Sequence, residues 1–155
     1  MFETIVWATD GSALADGALE HVVELARTHR SRIVAVHANE LMRGRPSGYP
    51  ALADEPELEE KIDRQIEELR SVGIDATLVI RTGNKGVATL IAEAADQVDA
   101  DLIVVATHGA GGLTAAFMGS VARALCHTAR RPLLVIPPVK KPKHAPAKDD
   151  RLAAV

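Results

Sequence analysis

The sequence predicts an α/β fold: a doubly wound parallel sheet of five strands with four helices. Two observations predict it. Short runs rich in β-branched residues alternate with longer stretches whose apolar residues recur at helical spacing. The short runs are also apolar at both odd and even positions, the pattern of strands buried on both faces, as in a parallel sheet. The resulting order, strand and helix in alternation from one end to the other, requires crossover connections, and these are right-handed.

Thr4-Ile5-Val6-Trp7-Ala8-Thr9 is the first strand, too short and too evenly apolar for a surface helix. The first helix shows Leu14, Ala18, Val22, Leu25 and Ala26 on one face. Arg32 to His37 is the second strand, and Asn39 to Pro56, with Gly44, Pro46, Gly48, Pro50 and Pro56, a long loop of the functional or mobile kind. Leu58, Ile62, Ile66 and Leu69 share a face of the second helix, and Gly73 is placed to end it. Ala76 to Arg81 is the third strand. Val87, Leu90, Ile91, Ala94 and Val98 mark the third helix, and Leu102 to Ala106 the fourth strand. The fourth helix spans Ser120 to Arg130 with Val121, Leu125 and Ala129 inward. Ser120 suits its N-cap, and Arg130 and Arg131 suit its negative end before Pro132. Leu133 to Ile136 is the fifth strand. Residues 1–138 then form one domain, and 139–155 a mobile tail rich in Pro and Lys.

Composition narrows the function classes. The chain of 155 residues suits a single core. Its 18 Lys and Arg against 21 Asp and Glu give a formal charge of -3, without the basic excess of a nucleic-acid binder. No apolar run approaches the roughly 20 residues of a membrane span, and the start Met1-Phe2-Glu3-Thr4 lacks the basic region of a secretory leader. The expectation is a cytoplasmic protein with neither nucleic acid nor membrane as partner. Cys126 is the single cysteine, which excludes an internal disulfide and a Cys-based zinc site; it reads as a small buried hydrophobe of the fourth helix.

In open α/β sheets ligands sit beyond the carboxyl ends of the strands, where the winding reverses. Two loops qualify. Asp10-Gly11-Ser12 follows the first strand; Thr107-His108-Gly109-Ala110-Gly111-Gly112 follows the fourth, and Gly119-Ser120 then opens a helix. Glycines let backbone N–H groups approach a ligand, and a helix start adds unpaired donors with a partial positive charge, so Gly119 and Ser120 form an anion site fit for phosphate. Asp10 lies across the crevice, where a carboxylate holds a divalent cation bridging phosphates. The structural alternatives stand beside these readings: Ser120 as a plain N-cap, Asp10 and Ser12 as caps of the first helix, His37 and His108 as packed, hydrogen-bonded histidines. There is no P-loop, no complete G-x-G-x-x-G and no G-x-S-x-G elbow.

Ala106-Thr107-His108-Gly109, nine residues and Gly119-Ser120 resemble the nucleotide-binding signature of the universal stress proteins, G-x2-G-x9-G-[ST]. Thr9-Asp10-Gly11-Ser12 after the first strand, Val36-His37 closing the second, and Arg131-Pro132 before a last apolar strand are similar to that family too, over residues 3 to 138. The resemblance implies strand order 3-2-1-4-5 in a Rossmann-like fold of the adenine nucleotide alpha hydrolase type. It also implies a homodimer joined through the fifth strand. Its ligand is ATP with Mg or Mn. Carried across, Ala8, Thr9 and Asp10 line the ribose and adenine side, with Asp10 linked to the metal, and Ala38 meets adenine through its backbone. Val105, Ala106 and Gly109 form the wall near ribose and phosphates, and Gly119, Ser120, Val121 and Ala122 serve the phosphate chain. Ala106 departs from the signature's first glycine; its methyl either crowds the ribose or points into the sheet. No P-loop lysine neutralises the charge of phosphoryl transfer, and Arg43 and Arg45 of the long loop are solvated or fold over the phosphates. Catalysis is thus at most slow ATP hydrolysis. The leading reading is a dimeric stress-response sensor in which ligand shifts the dimer or the 39–56 loop. A nucleotide-free interaction module, or a cyclic AMP binder that needs no metal, is the alternative. Lys140, Lys141, Lys143 and Lys148 of the tail either tether an acidic partner or keep the chain soluble.

Overall fold

The computed structural model describes residues 1–41, 55–108 and 118–138. The elements are β1 (Thr4–Ala8), α1 (Ala13–His29), β2 (Arg32–Glu40), α2 (Glu55–Ser71), β3 (Ala76–Gly83), α3 (Val87–Gln97), β4 (Leu102–Ala106), α4 (Ser120–Thr128) and β5 (Leu133–Ile136). The sheet order is β3-β2-β1-β4-β5, and every neighbouring pair is parallel. The fold class and the strand order are those expected from the sequence. Winding starts at β1, turns one way to β2 and β3, then reverses to β4 and β5, so the carboxyl ends of β1 and β4 part into a crevice.

Strand parity divides the interior in two. Ile5 and Trp7 of β1 and Leu102, Val104 and Ala106 of β4 face one side, where α1 brings Ala18, Val22 and Ala26 and α2 brings Ile62, Ile66 and Leu69. Val6, Ala8, Ile103 and Val105 face the other, against Ile91, Ala94 and Ala95 of α3 and Ala122 and Leu125 of α4. Both faces are dry, which is why these strands are apolar at every position. Trp7, fully buried, satisfies its indole N–H on the Ala15 carbonyl at 3.1 Å.

Several boundaries differ from the sequence reading. β2 continues three residues past His37, because Ala38, Asn39 and Glu40 pair in register with Arg81, Thr82 and Gly83; the polar Asn39 and Glu40 hid its end. α2 starts at Glu55, so Pro56 lies in its first turn, where a missing N–H costs nothing. The rest of the expected loop, 42–54, and the expected tail, 139–155, lie outside the described residues. Gly73 does follow the end of α2, at φ 82°, with its N–H on the Arg70 carbonyl.

Three side chains depart from the roles expected of them. α4 ends at Thr128, and Arg131 serves another helix: it bonds Asp96 and Asp99 at 2.9 Å each and the Ala100 carbonyl at 3.2 Å, beyond the end of α3. Hydrogen bonding to Asp96, then to Asp99, holds the guanidinium proton more tightly than usual. Cys126 is an exposed free thiol, one helical step of about 100° from the buried Leu125. Ser120 is the first residue of α4, whose N-cap is Gly119.

At the opposite edge of the sheet, Asp101 accepts the N–H groups of Glu3 (2.7 Å) and Thr4 (2.9 Å), fastening the start of β1 to the start of β4. Those two bonds, Thr4's first, pull its carboxyl below the ordinary value. Among the described residues no helix is long and apolar enough to cross a membrane.

Candidate functional site

The crevice is built from two chain segments of different character. After β1, the loop of residues 9–12 bonds mostly to itself. Thr9 is buried; its N–H reaches the Val36 carbonyl at 3.0 Å, and its own carbonyl accepts from His37 Nδ1 at 2.9 Å. A carbonyl only accepts, so His37 carries its proton on Nδ1. Gly11 donates to Thr9 Oγ1 (3.1 Å), Ser12 donates its N–H to Asp10 Oδ1 (3.0 Å), and Ser12 Oγ accepts from Ala15 N–H (3.3 Å) as the N-cap of α1. Ser12 is thereby the cap of α1 and His37 is packed and hydrogen-bonded, while Asp10 closes the turn onto the cap residue itself. Gly11 has φ +71°, and a Cβ there would stand 1.9 Å from Leu58 Cδ1 of α2, so only glycine fits.

After β4, the described residues are fastened at Thr107 and Gly119, and the donors without a helical acceptor are those of the first turn of α4. Thr107 N–H bonds the Ile136 carbonyl at 2.8 Å, and the Thr107 carbonyl accepts from Gly119 N–H at 2.6 Å. This draws the start of α4 so close to the end of β4 that a Cβ on Gly119 would lie 2.8 Å from the Thr107 oxygen. The first intrahelical bond of α4 runs from Arg123 N–H to the Gly119 carbonyl. Helical geometry gives Ser120, Val121 and Ala122 N–H no acceptor within the helix, and Gly119 has no side chain to cap them. No acidic residue occupies the first turn, so the partial positive charge there is uncompensated within the helix. Such an end can hold an anion by backbone donors alone.

His108 adds a second observation. It is 8% exposed, its Nδ1 lies 3.0 Å from Thr107 Oγ1, and its buried Nε2 has no partner among the described residues. A buried polar atom is seldom left unpaired unless water, an ion or a ligand completes it.

The topology gathers the sequence-derived site residues along one edge. Ala8 pairs with Val105 across β1 and β4, Thr9 and Asp10 follow, and Ala38 lies two residues beyond Val36, whose carbonyl meets Thr9. Gly119, Ser120, Val121 and Ala122 are held there by Thr107. Gly109 falls outside the described residues, as do Arg43 and Arg45. Ala106 is 7% exposed and packs in the core that contains Val104, Leu134 and Ile136.

A cation has no cage of protein ligands: among the described residues no three His, Cys, Asp or Glu converge. Mg²⁺ commonly binds through one or two carboxylates plus phosphate oxygens and water. Asp10 alone therefore fits a metal that arrives on a phosphate, and fits no free-standing site. Sequence reading missed Lys61, which reaches from α2 to the Gly11 carbonyl at 2.6 Å across fifty residues of sequence; no local pattern signals such a bond.

The model of the universal stress protein family matches residues 1–137. A universal stress protein of Thermus aquaticus is 31% identical over 143 residues, covering 88% of this chain and 99% of its own length. A universal stress protein structure from Archaeoglobus fulgidus, solved in complex with dAMP, superposes with TM-score 0.66 at 24% identity, over 88% of this chain and 98% of its own. Another universal stress protein structure, in complex with cAMP, has TM-score 0.61 at 22% identity, over 88% and 97%.

Proposed function

The chain belongs to the universal stress protein family, and from that premise we propose that it binds ATP with a magnesium or manganese ion in the crevice between β1 and β4. In this reading it acts as a dimeric, cytoplasmic stress-response sensor. The observation that carries the reading is the start of α4: three N–H groups outside the helical ladder, a glycine where a side chain would cap them, and no acid in the first turn. Related folds solved with dAMP and cAMP support an adenine nucleotide as the anion's bearer.

Each residue then has a physical task. The N–H groups of Ser120, Val121 and Ala122, with the exposed Ser120 hydroxyl, hold phosphate oxygens. Thr9, fixed by Val36 and His37, sets the loop that carries Asp10, and Ala8 and Ala38 offer small surfaces to ribose and adenine. Val105, Ala106 and Gly109 complete the wall. The metal, when bound, neutralises phosphate charge; Asp10 is the carboxylate that would hold it, directly or through water. In this reading the site stores or senses nucleotide and at most hydrolyses it slowly, since the sequence supplies no P-loop lysine to neutralise the charge of phosphoryl transfer. The Ala106 methyl is packed in the core and gives no support to a nucleotide-free module. The position of β5 supports dimerisation through it: it is an edge strand whose Leu133, Leu134 and Val135 stay half-buried in one copy.

Cyclic AMP is the second reading, supported by the related universal stress protein fold solved in complex with cAMP. A ring phosphate needs the N–H cradle and no metal. The test is to denature freshly purified protein, identify any released nucleotide by mass, and titrate ATP, ADP and cyclic AMP with and without Mg²⁺. Magnesium-enhanced ATP binding is expected. Metal-independent preference for cyclic AMP would select the second reading, and binding of none would remove both.

A further inference from the structure

We propose that Lys61 is the positioning residue of the site, the group through which α2 holds the Asp10 loop in its metal-ready shape. It rests on the nucleotide reading for its consequence and on the geometry for its existence. Lys61 Nζ donates to the Gly11 carbonyl at 2.6 Å and pairs with Asp16 Oδ2 at 2.6 Å, while Gln65 Nε2 takes the other Asp16 oxygen at 2.9 Å. Both charged side chains are only about a third exposed, 36% and 31%, so the pair is less screened than one standing free on the surface.

Other fastenings of the loop among the described residues come from β1, β2 and its own residues: Val36 and His37 on Thr9, Thr9 on Gly11, Asp10 on Ser12. None of these restrains the Gly11 carbonyl, which turns toward α2. Lys61 does so, and Leu58 one turn earlier fills the space where a Gly11 side chain would be. Gly11 follows Asp10 directly, so rotation about residue 11 moves the Asp10–Ser12 bond and with it the carboxylate. Two rows of α2 thus set one backbone unit of the site. Asp16 keeps the lysine aimed: with its charge matched there, Nζ has a fixed base from which to reach the carbonyl.

The consequence is specific to the metal. The start of α4 holds phosphate without help from α2, so loss of Lys61 leaves metal-free binding intact and removes the gain that Mg²⁺ confers through Asp10. The test compares ATP affinity with Mg²⁺ and with EDTA in the full-length protein, in wild type, Lys61→Met, Lys61→Arg and Lys85→Met. The last breaks an exposed ion pair with Glu93 on α3 and controls for lost surface charge. Amide exchange at Ser12 is read on the same proteins without ligand. Lys61→Met is expected to lose most of the magnesium enhancement, about tenfold, and to speed Ser12 exchange, with Lys61→Arg restoring both and Lys85→Met changing neither. Unchanged Ser12 exchange in Lys61→Met overturns the proposal. So does an equal fall of metal-free and Mg²⁺ affinity, which is what general destabilisation gives, and so does unaltered enhancement. If the wild type binds no adenine nucleotide, the functional reading fails by itself, while faster Ser12 exchange still upholds the hold of Lys61 on the loop.

Discussion

α1 and α4 begin at the same edge of the sheet, one after β1 and the other after β4, yet their first turns are finished differently. Both starts carry the same unpaired N–H groups and the same partial positive charge. At α1 one of them is answered from within, Ser12 accepting from Ala15, while Asp10 closes the turn onto the Ser12 N–H and Asp16 puts a carboxylate in the first turn. At α4 Gly119 caps nothing and the first turn has no acid. The difference teaches how to separate a structural helix start from a binding one. A serine N-cap takes one of the donors and a first-turn acid answers the charge; a glycine pressed against a strand end does neither.

The comparison is broken most severely by making α4 start like α1. Gly119→Asp supplies a self-capping carboxylate, places it where phosphate would bind and drives a Cβ toward the Thr107 oxygen. ATP affinity is expected to fall about a hundredfold by calorimetry, with Gly119→Ala separating the steric part. Unchanged affinity would show that the donors of α4 are not used. The reverse change, Ser12→Ala, opens the start of α1. It should cost about 1 kcal/mol of stability in urea titration and leave nucleotide affinity within about twofold. Ala106→Gly sharpens the contrast at β4: since the methyl is packed in the core, the glycine is expected to lose about 0.5–1 kcal/mol and gain no affinity. A clear gain would mean that the methyl does crowd the ligand.

The smallest effect lies at the opposite edge of the sheet. Asp101 has its carboxyl pulled below 3.8 by the N–H groups of Thr4 and Glu3. A depressed carboxylate stabilises the fold above its unfolded value, and that contribution is lost as pH falls through the folded one. Asp101→Asn should therefore lower the urea midpoint near neutral pH and flatten its decline below about pH 4.

How far the sequence could be read differs by element. The central strands β1 and β4 were legible because burial on both faces leaves runs such as Leu102 to Ala106 without a polar position. α3 was legible for a related reason, its apolar residues recurring from Val87 to Val98. The end of β2 was not, since Asn39 and Glu40 join the sheet only because β3 runs on beside them. Arg131 was assigned to the nearest helix end, whereas its partners are 32 and 35 residues away, on and just beyond α3. Cys126 was judged by residue type; its position, one step off the Leu125 stripe, decides its exposure. At the site, the Gly119–Ser120 signature and Asp10 were legible from spacing and turn chemistry. Lys61 was not, because α2 meets the Asp10 loop only in three dimensions.

Thr107 binds the end of β5 with its N–H and the start of α4 with its carbonyl. The last pairing of the sheet and the seating of the helix hang on adjacent peptide units, so the α4 wall of the crevice is fastened through β4 to the outer strand as well as to β4 itself.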